Sequence, residues 1–419
     1  MRIVLGSVNA RWSGGGGSVS STSSAAPARR PDSSAVGPFV TELNTAASGL
    51  PLTLLDGTDV SPLLSPVSVG GLKLRNRFAM APMTRQFSPD GIPGDDVAAY
   101  YGRRAASLGL LITEGTYVDE SAGSSSRVPR FFGDQALDGW RKVAAAVHDE
   151  GGAIFPQLWH LGAQRRPGSP PYPDAPVISP SGLDPAGNAV AEPATVSELD
   201  GVVAAFARAA AEAKAAGFDG VELHGAHGYL LDQFHWPATN RRTDRYGGDM
   251  AGRVRLSAEI VAAVRAATGP RFPIAFRFSQ WKGADYNARI AEDPAELEAF
   301  LSPLAEAGVS IFHASVRRYW LPAFEGSDRT LAGWTRHLSG LPVITVGSVG
   351  VAAAFRGADE AAQPSLTLAP LVDLLDRGEF DLVAVGRAVL ADPEWAAKVA
   401  DGRLSGIRPY DKSADATLY

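Results

Sequence analysis

Eight short apolar runs, each set off from the next by a longer stretch of different character, constrain this chain more than any other feature. They are RFAMAPM (77–83), GLLITEGTY (109–117), AIFPQLW (153–159), FDGVELH (218–224), FPIAFRFS (272–279), VSIFHAS (309–315), PVITVG (342–347) and FDLVAVG (380–386). Each is apolar on both faces, the pattern of a parallel strand covered on two sides. Between them lie Ala-rich amphipathic stretches such as DDVAAYYGRRAASL, VSELDGVVAAFARAAAEAKAAG and MAGRVRLSAEIVAAVRAATG. In the last of these Val254, Leu256, Ile260, Val261 and Val264 share one helical face, and Gly217 and Gly269 stand where helices should stop. Eight strands alternating with helices predict an α/β fold of the (β/α)8 TIM-barrel type. A doubly wound sheet is the rival, but it would carry G-x-G-x-x-G after its first strand. The segment APMTRQFSPDGIPG has no such pattern.

Two segments fall outside the alternation. RRPGSPPYPDAPVISPSGLDPAGN (165–188) is too long for an ordinary connection, so we expect an insertion over the barrel mouth after strand three. Residues 1–60 are rich in Gly, Ser, Ala and Pro and lack an apolar period, which predicts a disordered extension. The barrel itself is expected over 61–410, with a C-terminal tail at 411–419.

Charge and cysteine usage narrow the chemistry. The chain has 39 Lys and Arg against 45 Asp and Glu, a net charge of −6, and no block of basic residues. That argues against a nucleic-acid partner. With no Cys, there can be no disulfide, thiolate nucleophile, zinc–thiolate site or iron–sulfur cluster. No apolar run reaches membrane-spanning length, and no secretory apolar region opens the chain, so a cytoplasmic, membrane-free protein is expected.

In barrels of this type, working residues sit at the C-terminal ends of the strands. Read there, the sequence offers Pro82, Met83 and Thr84; Glu114, Gly115 and Thr116; Gln157 and Trp159; His224, His227 and Tyr229; Arg277; Gly347 and Ser348; and Gly386 and Arg387. Glycines after strands seven and eight, with Arg387 beside the second, suit a phosphate cradle of bare N–H groups and a guanidinium. HGAHGYLLDQF puts two of the chain's seven His and a Tyr on one strand-end loop. Three readings stand: packing histidines; two ligands of a metal-dependent hydrolase; or paired ring N–H donors that polarise a substrate oxygen while the Tyr gives a proton. The third needs a partner that supplies electrons.

MAPMTR, ITEGTYV, PQLWHLG, HGAHGYLLDQFHWPATNRRTDRYGG, FRFS and VGRAVLADPEW together resemble the old yellow enzyme family of FMN-dependent ene-reductases, across about residues 62–408. The resemblance implies non-covalent FMN, NAD(P)H as electron donor, and a small α,β-unsaturated substrate. It implies that Pro82, Met83 and Thr84 back the flavin ring, that Gly115 and Gln157 meet its pyrimidine side, and that Arg277 faces N1 and O2. Gly347, Ser348, Gly386 and Arg387 would hold the phosphate. His224 and His227 would bind the substrate oxygen, with Trp159 on the same side, and Tyr229 would protonate carbon. Beside this reading stand the metal-dependent hydrolase that uses His224 and His227, and a flavin-binding protein without turnover. The absence of Cys excludes relatives with an iron–sulfur cluster. SQWKGADYN after strand five departs from the family pattern and implies a reshaped mouth.

Overall fold

The computed structural model describes residues 58–351 and 367–419, so the low-complexity extension lies, up to residue 57, outside the described residues. The eight apolar runs form eight parallel strands: β1 (Phe78–Met80), β2 (Leu110–Tyr117), β3 (Ala153–Trp159), β4 (Val221–His227), β5 (Ile274–Lys282), β6 (Ile311–Ser315), β7 (Val343–Val346) and β8 (Leu382–Val385). They close in sequence order, and β8 completes the ring by pairing Val383 with Phe78 and Leu382 with Ile344. The TIM barrel is therefore the architecture of this chain. A short antiparallel hairpin, Val67–Val69 with Leu72–Leu74, precedes it.

Helices α1 (Asp95–Ala105), α2 (Asp134–Asp149), α3 (Val196–Ala215), α4 (Met250–Thr268), α5 (Pro294–Ala307), α6 (Leu331–Ser339) and α7 (Ala369–Asp376) cover the strands. Their limits follow local chemistry. Thr195 and Glu198 form a reciprocal capping box at the start of α3, and Gly269 ends α4 with φ at 86°. Val254, Leu256, Ile260, Val261 and Val264 of α4 are all fully buried. Each such side chain contributes about 1.5–3 kcal/mol by leaving water.

Alternation along the strands divides the interior into two levels. At the N-terminal level Ala79, Phe155, Ala275, Ile311, Ile344 and Leu382 pack with Val69 and Leu74 of the hairpin in one apolar cluster. Two residues further along the same inward rows stand Gln157, Arg277 and His313, all buried. The barrel is thus plugged with hydrocarbon at one end and polar at the other. The segment 165–188 folds after β3, tied by the Leu183–Ala189 bridge and by Arg166 to Asp184 at 3.2 Å. Residues 411–419 pack on the barrel. Arg85 donates to the carbonyls of Ala414 and Thr417, and Arg104 to that of Tyr419.

Candidate active site

A cavity of about 960 Å³ opens at the C-terminal ends of the strands. Fourteen of the sixteen strand-end residues line it, all but Glu114 and Thr116: Pro82, Met83, Thr84, Gly115, Gln157, Trp159, His224, His227, Tyr229, Arg277, Gly347, Ser348, Gly386 and Arg387. Its size is that of a cofactor or drug-sized ligand.

The polar floor comes from the inward rows. Gln157 Nε2 donates to Glu222 Oε1 at 2.8 Å, and Glu222 Oε2 meets His313 Nδ1 at 2.6 Å. Because Glu222 takes the amide N–H, the oxygen of Gln157 is left as an acceptor. Arg277 stands among these groups and reaches Ser315 Oγ at 3.4 Å. Burial pulls the Arg277 guanidinium down from its ordinary value, while the Glu222 carboxylate opposes that shift.

The histidine loop is shaped by a break in the β4–β5 ladder between Gly225 and His227. Such an irregularity re-aims side chains. His227 sits at φ 65°, a conformation that non-glycine residues adopt rarely and often at functional sites. Its ring lies 5.3 Å from that of His224 at 84°, and Tyr229 stands edge-on to both His224 (5.0 Å) and Trp159 (4.8 Å). His227 Nε2 lies 2.9 Å from Ser315 Oγ. Burial, reinforced by Arg277, pushes both imidazoles well below their ordinary value. At neutral pH each ring is therefore uncharged and presents one N–H donor and one acceptor. His224 Nδ1, Arg277 Nε and Trp159 Nε1 are buried polar atoms without a partner in the protein. Buried polar atoms are normally paired, so these three at one cavity point to a polar ligand.

At the far end, a Cβ on Gly347 would come within 2.6 Å of the Val316 carbonyl, and Ser348 follows at φ 59°. Gly386 leads into a short helix, Arg387–Ala391. Among the described residues no group of three His, Cys, Asp or Glu converges to hold a metal ion. No helix among them is long and apolar enough to cross a membrane.

Several lining or supporting residues were not singled out from the sequence: Glu222, His313, Ser315, Trp281, Tyr286 and Arg317. Glu222 and His313 did leave a signal. Each is a titratable residue flanked on both sides by apolar residues that pack outward, Val221 and Leu223 for Glu222, Phe312 and Ala314 for His313.

The model of the NADH:flavin oxidoreductase / NADH oxidase family matches residues 62–405. The chain belongs to this family, that of the old yellow enzymes. Among its relatives this family member is 36% identical over 362 residues to an NADH oxidase of Thermoanaerobacter brockii, covering 83% of this chain and 52% of that protein. It is 32% identical over 359 residues to 12-oxophytodienoate reductase 2 of Arabidopsis thaliana, covering 80% and 87%. Morphinone reductase in complex with tetrahydroNAD superposes with a TM-score of 0.70 at 28% identity, over 84% of this chain and 93% of that one. The chain spans about half the length of the first curated relatives it matches, 52%, 57% and 50%. The residues of this old yellow enzyme fit an FMN. A basic group and unpartnered polar atoms lie mid-cavity, and two glycines with Arg387 lie at one end.

Proposed function

We propose that this chain binds FMN non-covalently, takes hydride from NADH or NADPH, and reduces activated C=C bonds in enones and nitro-activated compounds. The reading rests on one observation above all. Two neutral imidazoles and a phenol converge over a buried guanidinium in a single cavity that runs on to Gly347, Gly386 and Arg387. The chain has no Cys to form a thioether with a flavin.

Bound there, FMN would accept hydride from the nicotinamide and pass it to the alkene. Arg277 would stand where the reduced ring gathers negative charge, and a guanidinium does not lose its proton to it. Gln157, steered by Glu222, would offer its carbonyl oxygen to a ring N–H. Pro82, Met83, Thr84 and Gly115 would form the wall behind the ring, and Ser348, Gly347, Gly386 and Arg387 would hold the phosphate. His224 and His227 would each direct an N–H at the substrate oxygen and polarise it. Tyr229 would deliver the proton to carbon, and Trp159 would back it at 4.8 Å.

The test is direct. Purified protein should be yellow, release FMN on denaturation, and bleach anaerobically with NADH or NADPH. Addition of cyclohexenone should restore the colour. A colourless protein, or one whose reduced form ignores every enone in a panel, would refute the reading.

A further inference from the structure

One wall of the mouth is a run of contacting rings and a guanidinium. His227 lies 4.5 Å from the Trp281 ring at 31°, Trp281 lies 5.7 Å from Tyr286, and the Arg317 guanidinium lies 4.1 Å over the Tyr286 ring. Trp281 stands near the end of β5, Tyr286 follows that strand, and Arg317 comes from the loop after β6. The run therefore joins the reacting end of the cavity to its rim.

Arg317 differs from its neighbours. Arg85 is spent on the carbonyls of Ala414, Asp415 and Thr417, Arg166 on Asp184, and Arg127 on the Gln86 carbonyl. The Arg317 guanidinium makes no hydrogen bond and no ion pair among the described residues, and its Nε is buried without a partner. Aromatic stacking holds its plane and leaves its N–H edge for a ligand. The surroundings favour an anion. In a chain of net charge −6, six arginines line this cavity against two carboxylates, Asp184 and Asp415. A cleft of one sign raises the local concentration of oppositely charged ligands.

We propose that Arg317, carried on Tyr286, is an anion-binding residue of the mouth. It takes the carboxylate or phosphate of a ligand whose reacting end lies at His224 and His227. The proposal rests on the ene-reductase reading for its substrate arm only. The anion has two sources, a carboxylated enone or the phosphates of the nicotinamide nucleotide, and both would reach the same edge.

The experiment follows the two half-reactions separately by anaerobic stopped flow in wild type, Arg317→Ala, Arg317→Gln and Tyr286→Leu. Reductants are NADH, NADPH and a phosphate-free N-benzyl dihydronicotinamide. Oxidants are cyclohexenone and the same ring bearing a carboxymethyl group. We expect Arg317→Ala and Arg317→Gln to lower the preference for the anionic over the neutral ligand by about 10- to 100-fold in one arm, as for a charge-assisted contact. Tyr286→Leu should follow in the same arm, and salt should weaken the anionic ligand in wild type but not in the variants. A loss confined to the carboxylated enone assigns the site to substrate. A loss confined to the nucleotides assigns it to phosphate. An unchanged preference in both arms, or equal losses for neutral and anionic ligands, overturns the proposal. If the wild type reduces no enone, the ene-reductase reading fails, and the nucleotide arm still decides the role of Arg317.

Discussion

Asp232 Oδ1 lies 2.6 Å from Lys282 Nζ, and neither side chain has any exposure. The second oxygen of Asp232 accepts the Gly228 N–H at 2.6 Å, and Lys282 donates to the Ser279 carbonyl at 3.0 Å. The Ser279 hydroxyl in turn accepts the His227 N–H at 3.1 Å. The ion pair thus holds from below the turn that carries His227 and Tyr229. Lys282→Met would leave a buried carboxylate unpaired and should cost about 3–5 kcal/mol of stability. Urea denaturation measures this, and the Asp232→Leu, Lys282→Met double variant should recover part of the loss. A single variant as stable as wild type would show that the pair carries no strength.

Glu114 lies behind the cofactor wall and accepts the backbone N–H groups of Arg85 at 2.7 Å and Gln86 at 3.0 Å. Burial pushes its carboxyl up to about 7 from an ordinary 4.5, against those two hydrogen bonds. Because the folded value is the higher one, the folded chain holds this proton more tightly. The stability this contributes is fully present below about pH 4.5 and is lost as pH rises through about 7. A gap of about 2.5 pH units corresponds to ~3 kcal/mol. Glu114→Gln keeps an acceptor and should remove that loss. It should match wild type near pH 4 and exceed it near pH 8. Parallel stability–pH curves for the two proteins would sink the assignment.

Tyr229→Phe should leave the rate of reduction by NAD(P)H near wild type and slow the reaction with cyclohexenone by about 10²–10⁴-fold, the usual cost of losing a general acid. His224→Ala and His227→Ala should instead weaken the binding of enones and phenols, since a polarising donor is lost from a buried site. Stopped-flow rates for the separate half-reactions distinguish these outcomes. Equal slowing of both halves in Tyr229→Phe would reduce the phenol to a wall of the cavity.

Arg387→Ala should weaken FMN binding by about 1.5–3 kcal/mol, the size of a charge-assisted hydrogen bond to phosphate. Burial depresses the Arg387 guanidinium, which stands 5.7 Å over the Tyr410 ring. Fluorescence titration of the apoprotein with FMN and with riboflavin gives the measure. The variant should lose affinity for FMN and keep its affinity for riboflavin.

The barrel and the position of its chemistry were legible in the sequence because both depend on short-range patterns. An apolar run with period-two geometry declares a strand, and its C-terminal end declares a place at the mouth. Gln157, His224, Arg277 and Arg387 could each be named from that position alone. What joins them was not legible. Glu222 meets His313 across 91 positions, Asp232 meets Lys282 across 50, and Arg85 meets Ala414 across 329. Those pairings exist only when the barrel closes in one register, which sets the strands on which inward residues become neighbours. The segment 279–287, which runs from the end of β5 into the following loop, shows the same division. Its sequence announced a departure, but only the fold brought Trp281 against His227 and laid Arg317 over Tyr286. Local sequence determines which face a side chain takes, whereas contact between distant side chains is decided by how the closed sheet brings those faces together.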